Sequence, residues 1–330
     1  AYQYLIMGTI GATFLLIGIG LIYAETGSLN MVDLSQRLPA VFEHRTVHTA
    51  FAFIVVGVGL KLAMFPLHLW LPNAYTYAPT TITIFLAATA TKVAVYVMLR
   101  MVFTVFSTSF AYVTPTDDMF ILLGVFGIVI ASVAAIYQND AKRLLAYSSV
   151  AQIGYMLLGI GFASALGLTA TVLHIFNHAL MKAALFMAVG ALVYRVGYSH
   201  ITQIRGLGRQ MPWTFAALVI AGLSLIGIPG TAGFISKWYL VLAAIDQQAW
   251  GLAVIILFGS LLAVIYMWKL VEALFFQPAG EQTATVKEAP LSLLIPTWIL
   301  VIANIYFGIN TELTVSAASM AVNVLENVQQ

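Results

Sequence analysis

The sequence predicts an all-α membrane protein of about nine transmembrane helices, two of them broken. Of 330 residues, 62% are hydrophobic and only 8% charged, against about 25% charged in soluble domains. Mean hydropathy is +0.98. Apolar runs recur at the length of about 20 residues that a bilayer core requires, punctuated by Pro, Gly or charge. The net charge of +2 is small and scattered, which argues against nucleic-acid binding. Zero cysteines exclude structural disulfides, iron–sulfur ligation and thiolate metal sites.

The spans follow in order. The first, residues 2–24, begins almost at once after Ala1, with neither an initiating Met nor the basic leader of a secretory signal, so further helices are expected upstream. The second, 46–71, reads "VGVGLKLAMFPLHLWLPNAY", where Pro66 and then Pro72 remove backbone donors and force a kink or an unwound stretch. Unbroken apolar runs at 80–106, 118–138, 142–162 and 166–195 give the third to sixth spans. The seventh, 212–245, carries "GLSLIGIPGTAGFISKWYL", with Pro229 among Gly227, Gly230 and Gly233, and is the second broken helix. The eighth and ninth are 250–276 and 290–309. Together these make one transmembrane domain, 1–310, and the tail 311–330 spaces Leu313, Ala317, Met320, Val324 and Val328 as an amphipathic surface helix. The segment 27–45 has a fainter pattern of the same kind.

Alternating connections collect Lys142, Arg143, Arg195, Arg205, Arg209 and Lys287 on one side, and Arg37 and Arg45 on the other, with Arg100 at a helix end. The positive-inside rule makes the first side cytoplasmic, Ala1 inside and Gln330 outside.

Lys61, Lys92, Lys182 and Lys237 lie deep within these runs. An ammonium at the centre of a membrane helix costs about 3 kcal/mol even on a lenient insertion scale, so such residues usually mark an ion or proton path. In "HIFNHALMK", His174, His178 and Lys182 stand at i, i+4 and i+8, on one helical face. Histidine titrates near neutrality and a desolvated lysine can approach the same range, a combination suited to stepwise proton transfer. The plainer reading is two core histidines hydrogen-bonded across helices. Lys61 and Lys237 sit near the two breaks, whose freed carbonyls can solvate an ammonium. His68, within the first break, is a further relay candidate, and Lys269 beside Glu272 reads as a snorkelling side chain. No carboxylate sits at membrane depth to pair with Lys61, so either that lysine is often neutral or its partner lies on another helix.

The segments "GLKLAMFPLHLWLPNAYTYAPT", "TKVAVYVMLR", "NDAKRLLAYSSVAQIGYMLLGIG", "HIFNHALMKAALFMAVGALVYR" and "GLSLIGIPGTAGFISKWYL" span roughly residues 48–240. In them the chain resembles the antiporter-like, proton-conducting subunits shared by respiratory complex I (NADH:quinone oxidoreductase), Mrp-type cation/proton antiporters and membrane-bound hydrogenases. The resemblance implies a fourteen-helix fold of two inverted five-helix repeats, each with a broken helix. The nine spans would be its sixth to fourteenth, the first five helices lying upstream, and the second repeat would fall at about 118–276. Lys61 would be the broken-helix lysine of the first repeat, paired with a glutamate on the fifth helix. Lys92, His174, His178 and Lys182 would form the central relay, with Lys237 as the exit-side lysine. The stretch "GIPGTAGFISKW" departs from the "GIPPxSGF" form associated with many members, which leaves the subfamily open, and "LLAYSSVAQIGYM" with "FNHALMKAALF" leans towards the D-type subunit of Mrp antiporters.

The resemblance therefore implies proton translocation through a buried Lys/His relay, in a multi-pass subunit of the bacterial inner membrane. Its partners would be other membrane subunits, and its cargo protons, with sodium as a further candidate. No cofactor and no redox chemistry of its own are expected, although the subunit could serve a proton-translocating NADH:quinone oxidoreductase. Two rivals stand beside this reading. A haem-binding cytochrome would use buried histidines as ligands, but His174 and His178 on one face cannot supply opposite axial positions. A scaffold subunit would only hold partners together.

Overall fold

The computed structural model describes residues 2–278 and 286–327, so Ala1, Val328 and Gln330 lie outside the described residues. The spans are α1 (Tyr2–Thr26), α3 (Arg45–Leu62), α7 (Thr116–Ile136), α8 (Ala141–Gly161), α9 (Ala165–Val196), α12 (Trp250–Val271) and α13 (Leu291–Ile309). Short helices join or complete them: α2 (Met31–Arg37), α4 (Trp70–Tyr77), α5 (Thr80–Phe85), α6 (Thr91–Leu99), α10 (Pro212–Ile226), α11 (Ala232–Asp246) and α14 (Glu312–Asn327). Among the described residues, eight helical stretches are long and apolar enough to cross a membrane. The seventh expected span is divided into α10 and α11, of 15 residues each. Both breaks lie where proline and glycine placed them: α3 ends before Ala63 and Pro66, and α10 before Gly227 and Pro229.

The third span is not the plain helix its sequence suggests. Between α5 and α6 the backbone widens into a π turn at Leu86–Ala90, and a second π turn, Arg100–Val105, follows α6. Neither contains Pro or Gly, so no local residue announces them.

At the centre stands α8, whose apolar window is 94% buried, whereas that of α1, at the margin, is only 17% buried. Its pairing with α7 depends on small residues, as membrane helices without a hydrophobic drive between them require. A Cβ added at Gly154 would lie 2.7 Å from the Gly124 carbonyl oxygen and 2.7 Å from the Ile128 amide nitrogen. The backbones therefore touch there.

The loops carrying most of the basic residues meet on one side. Asp140 caps α8 through the Arg143 amide and accepts from the Ser199 hydroxyl at 2.5 Å. Arg195 donates to the Glu288 carbonyl oxygen at 2.9 Å, and the Glu288 carboxylate caps α10 through the Trp213 amide and the Thr214 hydroxyl. A carboxylate at a helix N-terminus offsets the positive end of the helix dipole.

The tail is a helix, as its spacing predicts. α14 packs on α9 through Ala318, Val322 and Leu325, while Leu313, Met320 and Val324, assigned to the apolar face, are exposed. In the segment 27–45, Asn30 caps α2 by accepting from the Val32 amide at 2.9 Å, and Leu34, Leu38 and Phe42 turn inward. The Arg37 side chain bonds the Asp33 carboxylate and holds its pKa below the usual value.

Gly154→Ala is expected to force α7 and α8 apart and lower stability by about 1–3 kcal/mol, the usual range for overpacking. Thermal unfolding in detergent measures it against Gly20→Ala, where a Cβ meets open space. Equal midpoints for the two variants would remove the close-contact account.

Candidate functional site

Lys237 shows how a break carries a charge. Gly227, at φ 93°, ends α10, and the last helical carbonyls, having no downstream amides to accept from, are left free. The Lys237 ammonium, one and a half turns into α11, donates to the Leu225 and Ile226 carbonyl oxygens at 3.0 and 2.9 Å and to the Ser260 hydroxyl at 3.1 Å. It also lies 4.7 Å from the Tyr155 ring centroid, on which a cation is attracted to the π face. The negative end of the α10 dipole adds to this. The break is held from both sides: Ser224 donates to Asn304 at 3.0 Å and accepts from the Gly233 amide, and Asn177 donates to the Ala232 carbonyl at 2.6 Å.

Next along the row is His174, wholly buried on α9. Its Nδ1 faces the Ser236 hydroxyl at 2.7 Å and its Nε2 the Gln152 side-chain oxygen at 3.0 Å. Ser236 directly precedes Lys237, so one turn of α11 joins the histidine to the lysine. One helical turn further along α9, the His178 ring stacks on His174 with centroids 5.9 Å apart and planes 4° from parallel. Both His178 nitrogens are buried with no hydrogen-bond partner among the described residues. Lys182 closes the α9 row, donating to the Leu145 carbonyl at 2.8 Å and the Ser148 hydroxyl at 2.5 Å.

Lys92 repeats the arrangement of Lys237 by other means. The π turn shifts backbone bonding by a residue and leaves carbonyls open: the Tyr75 hydroxyl donates to Leu86 at 3.0 Å, and the Lys92 ammonium to Ala87. Lys92, His174, His178, Lys182 and Lys237 thus form one buried polar row, each no more than 6% exposed.

Lys61 is placed differently from the expectation of a buried, carbonyl-solvated ammonium. It is exposed and lines a cavity of about 630 Å³ with Tyr4, Leu15, Trp70 and Thr89. The carbonyl of Leu60 just before the break is taken by the Trp70 indole at 2.7 Å, and no described residue bonds the Lys61 ammonium. His68 is buried in the break, stacked on Phe65 at 5.4 Å and edge-on to Tyr147 at 6.3 Å, with Nδ1 unpartnered. Lys269 does not snorkel freely. It donates to the Ile136 and Gln138 carbonyls at 3.0 and 2.7 Å, closing the C-terminus of α7. Among the described residues no carboxylate bonds any of the four deep lysines, and the two ion pairs, Arg37–Asp33 and His44–Glu25, lie elsewhere.

Sequence reasoning missed the second wall of the row: Ser148, Gln152 and Tyr155 on α8, Ser236 on α11, Ser260 on α12 and Asn304 on α13. The signal for the first two was Ser148 and Gln152 at i and i+4 in an apolar span, where polar residues are there to be bonded.

The family model described as "NADH:quinone oxidoreductase/Mrp antiporter, TM" matches residues 1–263. The chain is similar to NADH-quinone oxidoreductase subunit N of Desulforudis audaxviator, 39% identical over 328 residues, covering 96% of this chain and 65% of that protein. It is 29% identical to the D-type subunit of the Na(+)/H(+) antiporter of Alkalihalophilus pseudofirmus, covering 94% of this chain and 62% of the relative. The solved Mrp complex from Dietzia sp. contains a chain that superposes with a TM-score of 0.90 at 25% identity, covering all of this chain and 70% of that one. The chain thus spans just under two thirds of the length of these two curated relatives.

Asn304→Leu is expected to lower stability by about 1–3 kcal/mol, because the Ser224 hydroxyl and the Asn304 site lose a buried hydrogen bond at the break. Thermal unfolding in detergent gives the number. An unchanged midpoint would mean that α13 does not brace the break.

Proposed function

The chain belongs to the NADH:quinone oxidoreductase/Mrp antiporter membrane family, and from that premise we propose that its buried lysine and histidine row conducts protons across the membrane. The observation that carries the proposal is the absence of any carboxylate on the described lysines of the row: Lys92, Lys182 and Lys237 rest only on carbonyls and hydroxyls. A buried charge without a counter-ion is poorly held, so each ammonium is poised to give up its proton. Two unit charges about 8 Å apart repel by about 2 kcal/mol at an effective dielectric near 20, so a proton arriving at one site favours release from the next. His178, with both nitrogens free, is suited to pass a proton through water between Lys92 and His174, and Ser236 connects His174 to Lys237.

In this reading a proton reaches Lys61 from the cytoplasmic side, with His68 beside its route, crosses Lys92, Lys182, His178 and His174, and leaves by Lys237. The second inverted repeat occupies about 118–276. The chain sits in the bacterial inner membrane, its basic loops in the cytoplasm, as a component of a larger membrane complex. The 39% identity to an oxidoreductase subunit against 29% to an antiporter one favours a redox-driven complex over the D-type Mrp role suggested by local sequence. The cation/proton antiporter remains the second reading, supported by the superposition on the Mrp complex.

The test uses inverted vesicles carrying the full-length complex. Lys182→Met and Lys61→Ala are each expected to reduce proton pumping at least about tenfold, a barrier rise of about 1.4 kcal/mol, in complexes that still assemble. Unchanged pumping in both would refute the relay. Sodium added after energisation separates the two readings: collapse of the gradient only with intact Lys61 indicates the antiporter, and no response with donor-driven pumping indicates the redox complex.

A further inference from the structure

A second cavity, about 530 Å³, lies between α6, α9 and α14. Its walls are Val93 and Leu99 of α6, Val172 and Ile175 of α9, and Val324 and Leu325 of α14. Lys92, Tyr96 and Arg100 stand along it at i, i+4 and i+8, on one face of α6 and the π turn that follows it, and among the described residues no carboxylate lines it. The two cations differ. Lys92 has its ammonium turned to the Ala87 carbonyl and the Thr91 hydroxyl, so it offers the groove mainly its methylene stem. Arg100 has no hydrogen bond or ion pair with any described residue, and its Nε is buried without a partner. Eight residues separate the two, about 12 Å along a helix axis. Arg100 lies five residues before the end of the span at Val105, and Lys92 near its middle.

The groove is therefore an apolar slot running along the span, with an unanswered guanidinium at its outer end. We propose that it binds an acidic phospholipid, the phosphate on Arg100 and an acyl chain lying between α6, α9 and α14. The depth decides the occupant. A phosphate belongs near the end of a span and a hydrocarbon chain towards its middle, which is the order of Arg100 and the apolar walls. A guanidinium presents five donors in a fork that matches phosphate oxygens, and such charge-assisted bonds are among the strong ones. An arginine left without an acceptor this far into the bilayer is costly, and an anionic headgroup removes that cost. The slot has the volume of ordinary small-molecule sites, roughly 300–1,000 Å³. α14 forms its outer wall: Val324 lines the slot while remaining 59% exposed, so this helix can be clasped by the lipid as well as by α9. Lys92 of the buried row borders the slot, but the lipid's two anchors, Arg100 and the apolar walls, lie outside that row, and the proposal holds whichever complex the chain serves.

The test is native mass spectrometry of the full-length protein in its complex, released from detergent after incubation with phosphatidylglycerol or phosphatidylcholine. Wild type is expected to retain phosphatidylglycerol, and Arg100→Gln to weaken that retention about tenfold, the loss of a charge-assisted pair. Arg100→Lys should restore part of it. Val324→Trp fills the slot while leaving the charge in place and should also release the lipid, so the proposal can be judged even if Arg100→Gln fails to assemble. Equal retention of the zwitterionic lipid, retention unchanged in Arg100→Gln or in Val324→Trp, or displacement by inorganic phosphate at equal concentration would each overturn it.

Discussion

The structure turns on one arrangement, an ammonium buried at membrane depth and held by oxygens that the backbone releases where it leaves α geometry. A regular helix spends every carbonyl on its own amides and has nothing to offer a charge. At Gly227 the chain stops being helical, and the oxygens of Leu225 and Ile226 turn to Lys237. At Leu86–Ala90 the helix widens, and Leu86 and Ala87 serve Tyr75 and Lys92. Proline with glycine at one site and a π turn at the other reach the same end.

Irregular backbone inside a bilayer survives only where protein surrounds it, and the rest of the fold supplies that surround. α8 is buried along nearly its whole length, and its Gly154 lets α7 close to backbone contact. That frees its other faces to present Ser148 to Lys182, Gln152 to His174 and Tyr155 to Lys237. α13, from the far end of the chain, reaches the second break through Asn304. The titratable row of α9 alone would be a stripe of polar side chains facing lipid; enclosed by α8, α11 and α12 it is buried inside the protein.

Much of this was legible residue by residue. His174, His178 and Lys182 share a face because four residues make just over one turn, and nothing beyond the helix is needed to know it. Pro229 and its glycines announced a break, and Lys237 did find the freed carbonyls. The π turn beside Lys92 was not legible, since "LAATA" holds no residue that forbids an α-helix; the oxygens it opens are taken by Tyr75 and Lys92, which lie outside those five residues. In the tail the residues turned to the protein are Ala318, Val322 and Leu325, while the stripe of Leu313, Met320 and Val324 faces outward. For Lys269 the sequence offered Glu272 as a neighbour, whereas the end of α7 provided the acceptors.

The sequence by itself determined the membrane, the number of crossings, the two proline breaks and the helical face on which the titratable row stands. These follow from hydropathy and from 1.5 Å and 100° per residue, quantities that are local to the chain. Only the tertiary structure decided which oxygen each lysine uses, that Lys61 stands exposed in a cavity while Lys92, Lys182 and Lys237 are enclosed, and that Arg100 is left with no partner among the described residues. Those outcomes depend on groups brought together from segments as far apart as Ser224 and Asn304, and no periodicity along one helix encodes what the next helix will present to it.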